Sequence, residues 1–150
     1  MKLQTPLTNV NNVVTLKEVT RSDRKFLYHL LSQRKPEENI SHKKMPTYSE
    51  HVKFVMSNPY SKWYIIIYKN KKAGSIYLTC QNEIGIFLEE KVQSKGIGKQ
   101  ALRLLIKKNH KPRYLANINP KNTKSIKFFT KNDFKLIQYT YEMIPAGIGK

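Results

Sequence analysis

Gln93-Ser94-Lys95-Gly96-Ile97-Gly98 stands between a short apolar run, Glu83-Ile84-Gly85-Ile86-Phe87-Leu88, and an amphipathic stretch that opens at Lys99. The apolar run is closed by Glu89-Glu90-Lys91 and reads as a strand. Downstream, Ala101, Leu102, Leu104, Leu105 and Ile106 share one helical face, with Lys99, Gln100, Arg103, Lys107 and Lys108 on the other. The two glycines therefore occupy a strand-to-helix turn. Glycine permits positive φ and close approach of the backbone to a ligand. The free N–H groups of a first helical turn, helped by the helix dipole, favour an anion. The turn reads as a phosphate cradle, with Lys95 and Lys99 adding positive charge. On these six residues alone, an ordinary strand–helix turn is an equally good reading.

The segment is not a Walker loop. Gln93 stands where that motif needs its first glycine, and Gln100 where it needs Ser or Thr. Nor is it the dinucleotide fingerprint, whose third glycine position is Ala101.

Composition bounds the rest. A chain of 150 residues, 39% hydrophobic and 11% aromatic, is of single-domain size and able to bury a core. No run approaches the ~18 apolar residues of a membrane span. Met1-Lys2-Leu3-Gln4-Thr5-Pro6 leads into no apolar signal core, so a cytoplasmic location is expected. The one cysteine, Cys80, excludes an internal disulfide and is expected as a buried small hydrophobe. His29, His42, His51 and His110 lack metal-ligand spacing, and no metal is expected. The net charge of +18 suits either nucleic acid or small acidic ligands. Its excess is nearly all dispersed Lys, which fits compositional bias as well. Scarce Arg argues against a nucleic-acid module.

Along the chain, residues 13–19 read as a strand, and Ser22-Asp23 as the cap of a helix carrying Phe26, Leu27, Leu30 and Leu31. Residues 33–45 form a polar loop. Thr47-Tyr48-Ser49-Glu50 is a capping box that opens a helix with Val52, Val55 and Met56 inward. Residues 63–68, 73–79 and 83–88 should form an antiparallel meander. A helix over 98–109 then crosses to a parallel strand at 114–118. A helix over 122–131 and a terminal strand within 134–144 complete the order.

Two segments carry a family resemblance. Gln-x-x-Gly-x-Gly after a strand resembles the acetyl-CoA pyrophosphate loop of the GNAT N-acetyltransferases, and the spacing from Glu83-Ile84-Gly85 to Gln93 is similar to that of the branch acetylating ribosomal protein N-termini and aminosugars. Residues 122–134, from Asn122 through Ser125 to Phe134, resemble the family's Asn-x-x-Ser/Ala-x-x-x-Tyr-x-x-x-Gly-Phe helix, with Phe129 in place of Tyr and Asp133 in place of Gly. The likeness covers roughly residues 47–141. It implies a single GNAT-like domain over 1–150. The fold class is α/β in α+β layers: a mixed, mostly antiparallel sheet with helices on both faces and a splayed central strand pair. It also implies acetyl-CoA as cosubstrate.

The same resemblance implies roles. Leu88, through its backbone, and the loop from Gln93 to Lys99 would hold the cofactor, with Asn119, Asn122 and Ser125 along the pantetheine arm. Asn122 is equally well read as a helix N-cap. Attack of an amine on the thioester needs a neutral amine, a donor for the oxyanion and a proton for the departing thiolate. Glu83 stands at a frequent base position, or else marks a strand start. Phe129 has no proton to give, so Tyr139 or Tyr141 is the candidate acid, or water. His42 and His51 are candidates for touching the acceptor, or else exposed polar residues. The expected acceptor is a small-molecule or peptide amine, acidic or nucleotide-linked, with nucleic acid and membrane disfavoured. A non-catalytic GNAT-like module binding CoA or nucleic acid is the alternative. A homodimer formed through the terminal strand is expected, because pairing would cover its edge.

Overall fold

The computed structural model describes residues 13–39 and 44–147. In chain order these residues form β1 (Val14–Glu18), α1 (Arg24–Ser32), α2 (Tyr48–Met56), β2 (Lys62–Tyr68), β3 (Lys71–Leu78), β4 (Ile84–Leu88), α3 (Ile97–Lys108) and α4 (Thr123–Lys131), with short 3₁₀ turns between. Strands β1 to β4 make an antiparallel sheet in sequential order. The meander is as the sequence predicts.

Period-two alternation sorts the strand side chains into two cores. In β2, Trp63, Ile65 and Ile67 pack with Leu27 and Leu30 of α1, Val55 of α2 and Phe87 of β4. Tyr64, Ile66 and Tyr68 point the other way, where Ile97, Ala101, Leu102 and Leu105 of α3 and Phe129 of α4 cover them. The result is three layers: α1 and α2, the sheet, then α3 and α4.

Helix starts follow local chemistry. Thr47 Oγ1 accepts from the Glu50 amide at 3.2 Å and Glu50 Oε2 accepts from the Thr47 amide at 3.1 Å, the capping box read in the sequence. Asp23 departs from the sequence reading. It stands at the N-cap of α1, but its carboxylate makes no cap bond. It lies fully buried, accepts from the Thr20 amide at 2.7 Å, and pairs with Lys17 at 2.9 Å and Lys72 at 2.8 Å. It thereby ties β1 and β3 to the start of α1.

Several expectations need correction. Residues 114–118 form no strand: Leu115 makes one parallel bridge to Glu83, accepting from the Ile84 amide at 2.7 Å and donating to Asn82 at 2.8 Å. The terminal strand is also missing, since residues 135–147 run exposed and without sheet pairing. Their apolar residues are spaced for a strand, but no described edge receives them, so the dimer argument from an unpaired terminal edge loses its basis. On α2 the inward residues are His51 and Val55, while Met56 is exposed. Cys80 is exposed because β3 ends at Leu78 and Cys80 falls in the turn that follows. Among the described residues no helix is long and apolar enough to cross a membrane.

Burial pushes the Asp23 carboxyl up, but the Lys72 ammonium, the Thr20 amide and Lys17 outweigh it and hold it at about 2 against an ordinary 3.8. A carboxylate depressed in the folded state stabilises the fold above its unfolded value, and that stabilisation fades as pH falls through the folded one. The contribution is about 2 kcal/mol above pH ~5 and is lost between about pH 4 and 2. Asp23→Asn should lower stability at pH 7 by about that amount and flatten the acid limb of a chemical-denaturation profile. An acid limb identical to wild type would show that Asp23 does not govern it.

Candidate active site

The backbone of β4 sets the site. Thr79 donates to Glu83 at 2.9 Å and Glu89 to Ala73 at 2.8 Å, so odd-numbered residues from 83 to 89 bond to β3. Alternation then turns the N–H and C=O of Ile84, Ile86 and Leu88 to the opposite edge. Leu115 takes the Ile84 amide. Beyond that bridge Asn117, Ile118 and Asn119 stand across a cavity from β4 instead of pairing with it. The pair thus parts after one bridge and leaves the Ile86 and Leu88 amides facing the gap.

The cavity is about 680 Å³ and runs past this edge to both sides of the sheet. At one end lie Gln93, Ser94, Gly96, Ile97, Gly98 and Lys99, the start of α3. Gly96 is the N-cap at φ +76° and Ser94 has φ +64°, so the turn needs left-handed backbone. Gly98 has a different reason to be glycine. A β-carbon there would sit 3.1 Å from the Phe128 ring, so its small size lets α3 and α4 close together. Gln93 Nε2 donates to the Leu88 carbonyl at 3.2 Å, fastening the loop to the end of β4. Lys124, Lys127 and Lys131 on α4 line the same cavity, a helical-face array that sequence inspection left among dispersed lysines.

The sequence-predicted residues divide. Leu88, Gln93, Ser94, Gly96, Ile97, Gly98, Lys99, Asn119, Asn122, Ser125 and His51 all line the cavity. Lys95 is exposed in the same loop. Asn122 is the N-cap of α4, its Oδ1 accepting from the Ser125 amide at 3.1 Å. Asn119 donates to the Asn39 carbonyl at 2.8 Å, joining the far wall to the α1–α2 connection. His42 lies outside the described residues. His51 is buried, not exposed, with Nε2 lacking a hydrogen-bond partner; burial lowers its pKa, against a bond to the Arg24 backbone.

Glu83 does not line the cavity. Its Oε2 accepts from Asn117 Nδ2 at 2.8 Å, and Asn117 lines the cavity in its place. It lies five residues from Leu88 along the strand, roughly 17 Å at about 3.3 Å per residue. Tyr139 and Tyr141 are 74% and 89% exposed and do not line the cavity either. Phe129 is buried between Phe128 and Phe134.

The opposite end of the cavity was not anticipated. Tyr60 and Tyr77 stack with centroids 3.8 Å apart and planes 2° from parallel, Trp63 meets Tyr60 edge-on at 4.9 Å, and Phe54 lies 5.9 Å from Tyr60. Tyr77 lies across Gly85, where a β-carbon would fall 2.0 Å from its ring, so the glycine in β4 exists to admit that tyrosine. Burial raises the pKa of both tyrosines, and the charge of Arg34 acts against it. The only sequence signal was four aromatics scattered over three elements.

Comparison with known proteins agrees with this geometry. Residues 14–135 match the model of a family described as acetyltransferase (GNAT) domain. No curated protein matches the chain. Among solved structures, a domain from Methanocaldococcus jannaschii is 26% identical, with 87% of this chain and 93% of that one covered at a TM-score of 0.74. The ribosomal α-N-protein acetyltransferase RimL in complex with coenzyme A is 22% identical, covering 83% and 81%, at 0.71. The microcin self-immunity acetyltransferase MccE in complex with acetyl-CoA and AMP is 22% identical, covering 81% and 78%, at 0.60. A sheet of this order, a β4 edge left open and a glycine turn into α3 define an acetyltransferase of the GNAT type. The chain belongs to the GNAT acetyltransferase family.

The placement of the two tail tyrosines yields a direct expectation. Tyr139→Phe and Tyr141→Phe, singly and together, should leave kcat within about twofold of wild type, since a general acid contributes about 10²-fold or more and must reach the reacting atoms. A hundredfold drop in steady-state kcat would place one of them in the site.

Proposed function

We propose that the protein is an acetyl-CoA-dependent N-acetyltransferase that acts on a primary amine. The observation that carries this is the continuous cavity joining the α3 turn, the open β4 edge and the aromatic end. RimL and MccE, which share the fold, have been seen with coenzyme A and with acetyl-CoA, which supports the same ligand here. The residues present fit it. The first-turn N–H groups of α3, with Lys99, Lys124, Lys127 and Lys131 nearby, suit its phosphates. The outward Ile86 amide and carbonyl suit the amide groups of the pantetheine arm.

When bound, acetyl-CoA supplies an acyl group activated as a thioester. The Leu88 N–H, free at the strand edge, is placed to donate to the acyl oxygen as charge develops there. The amine nitrogen bonds to the acyl carbon, the C–S bond breaks, and the proton lost by the amine passes to solvent. The thiolate needs no dedicated acid: ordinary thiols have pKa values of roughly 8–9, so protonation by water suffices near neutral pH. Glu83 is a positioning residue that holds Asn117 against the cavity. The second reading, a module that binds CoA without turnover, draws on Phe129 at the usual Tyr position.

Calorimetry with acetyl-CoA tests the cofactor assignment. Ser94 already has φ +64°, a conformation Asp and Asn tolerate. Ser94→Asp should therefore add a charge to the cradle without straining it and weaken acetyl-CoA binding by about tenfold or more, while Ser94→Asn should bind within about threefold of wild type. Equal affinity in all three would remove the phosphates from this turn. A screen of amines for thiol release separates enzyme from module.

Glu83→Gln keeps an acceptor for Asn117. It should hold kcat within about threefold with an unshifted pH profile, whereas loss of a general base would cost about 10²-fold.

A further inference from the structure

Arg34, just beyond α1, lines the cavity and pairs with no carboxylate among the described residues. Its guanidinium carbon lies 5.3 Å from the centroid of Phe87. Among the described residues its Nε is buried without a partner, and its Nη2 makes only a long 3.4 Å bond to the Glu38 carbonyl. The described residues include all ten Asp and Glu of the chain, and their ion pairs are with Lys17, Lys72, His29 and Lys91, never with Arg34. Of the two acids that follow it, Glu37 is exposed and the Glu38 carboxylate is engaged by the Lys35 amide at 2.9 Å. A guanidinium withdrawn from water beside aromatic rings is stabilised by an anion that can take two parallel hydrogen bonds. Phe87, beneath it, is the neighbour of Leu88, where the acyl group is placed.

Resting on the acetyltransferase reading above, we propose that the acceptor is a small amine bearing a carboxylate or phosphate close to its amino group, the anion held by Arg34 and the apolar body resting on Phe54, Tyr60 and Trp63. Arg34 lies over Phe87, the residue before Leu88 in β4, which suits an acceptor whose anion is only a few bonds from its amine. A peptide N-terminus offers a neutral amide at that distance, which leaves the guanidinium unpaired.

Trp63 is the one tryptophan of the chain and lies in this end of the cavity, so its fluorescence reports occupancy independently of turnover. The test uses matched amines: phenylalanine against phenylalaninamide for a carboxylate, and 2-aminoethyl phosphate against ethanolamine for a phosphate. Each is followed by Trp63 fluorescence and by thiol release from acetyl-CoA. In wild type the anionic member of at least one pair should be preferred by roughly 10- to 100-fold in kcat/KM, mainly through KM. Which pair responds identifies the anion. Arg34→Met should bring that preference to about one, with acetyl-CoA affinity by calorimetry unchanged, and Arg34→Lys should restore part of it.

The proposal is overturned if the neutral amine is equal or better in wild type, or if Arg34→Met weakens both members alike. It is also overturned if that variant loses acetyl-CoA affinity, which would assign Arg34 to the cofactor, or if no pair perturbs Trp63 while acetyl-CoA binds. Failure of acetyl-CoA to bind instead sinks the acetyltransferase reading, and the fluorescence preference still decides the role of Arg34.

Discussion

The hydrogen-bond alternation of β4 is the constraint on which the site depends. One set of its backbone groups is committed to β3, and among the described residues the other set has one backbone partner, Leu115, and the Gln93 side chain on the Leu88 carbonyl. Buried backbone amides are normally paired, so a strand edge that parts from its neighbour inside a protein is a place for a ligand. Gly85 belongs to the same constraint. Tyr77 can lie across the strand only because no side chain occupies that position.

The three layers then divide the chemistry. Side chains of Phe87 and Trp63 emerge toward α1 and α2, while Ile84, Ile86 and Leu88 pack toward α3 and α4. The start of α3 is thus on one side of the sheet, the aromatic end and Arg34 on the other. The open edge of β4 is where the cavity passes between them. Part of the high positive charge has a place, since Lys99, Lys124, Lys127 and Lys131 line one cavity. Charge on the rest of the surface acts on steering and solubility.

Closure of the fold around this cavity rests on contacts of ordinary kinds. Asp23 ties β1, β3 and α1 together through two lysines and a backbone amide. Gly98 against Phe128 sets how closely α3 and α4 approach. Asn119 and Gln33 reach across to the Asn39 carbonyl and the Glu90 amide, linking the α1–α2 connection to the far wall and to the turn after β4.

What the amino-acid sequence determined by itself was local. The capping box at Thr47, the meander, the glycine turn and the amphipathic α3 all arise from residues within a few positions of one another, and each appears where the pattern predicts it. The turn was legible for that reason. Patterns also misled in residues 134–144, which meet no described edge, and in residues 114–118, which part from β4 after one bridge: alternation describes a surface that could pair, not one that does. Tertiary structure alone decided that His51 is buried, that Tyr139 and Tyr141 stand away from the cavity, and that Glu83 reaches it only through Asn117. It alone gathered Arg34, Phe54, Tyr60, Trp63, Tyr77 and Phe87 from four elements and two connections. A site built from side chains far apart in the chain exists only once the sheet has set their directions, because no short-range periodicity records which residues of different strands and helices will meet.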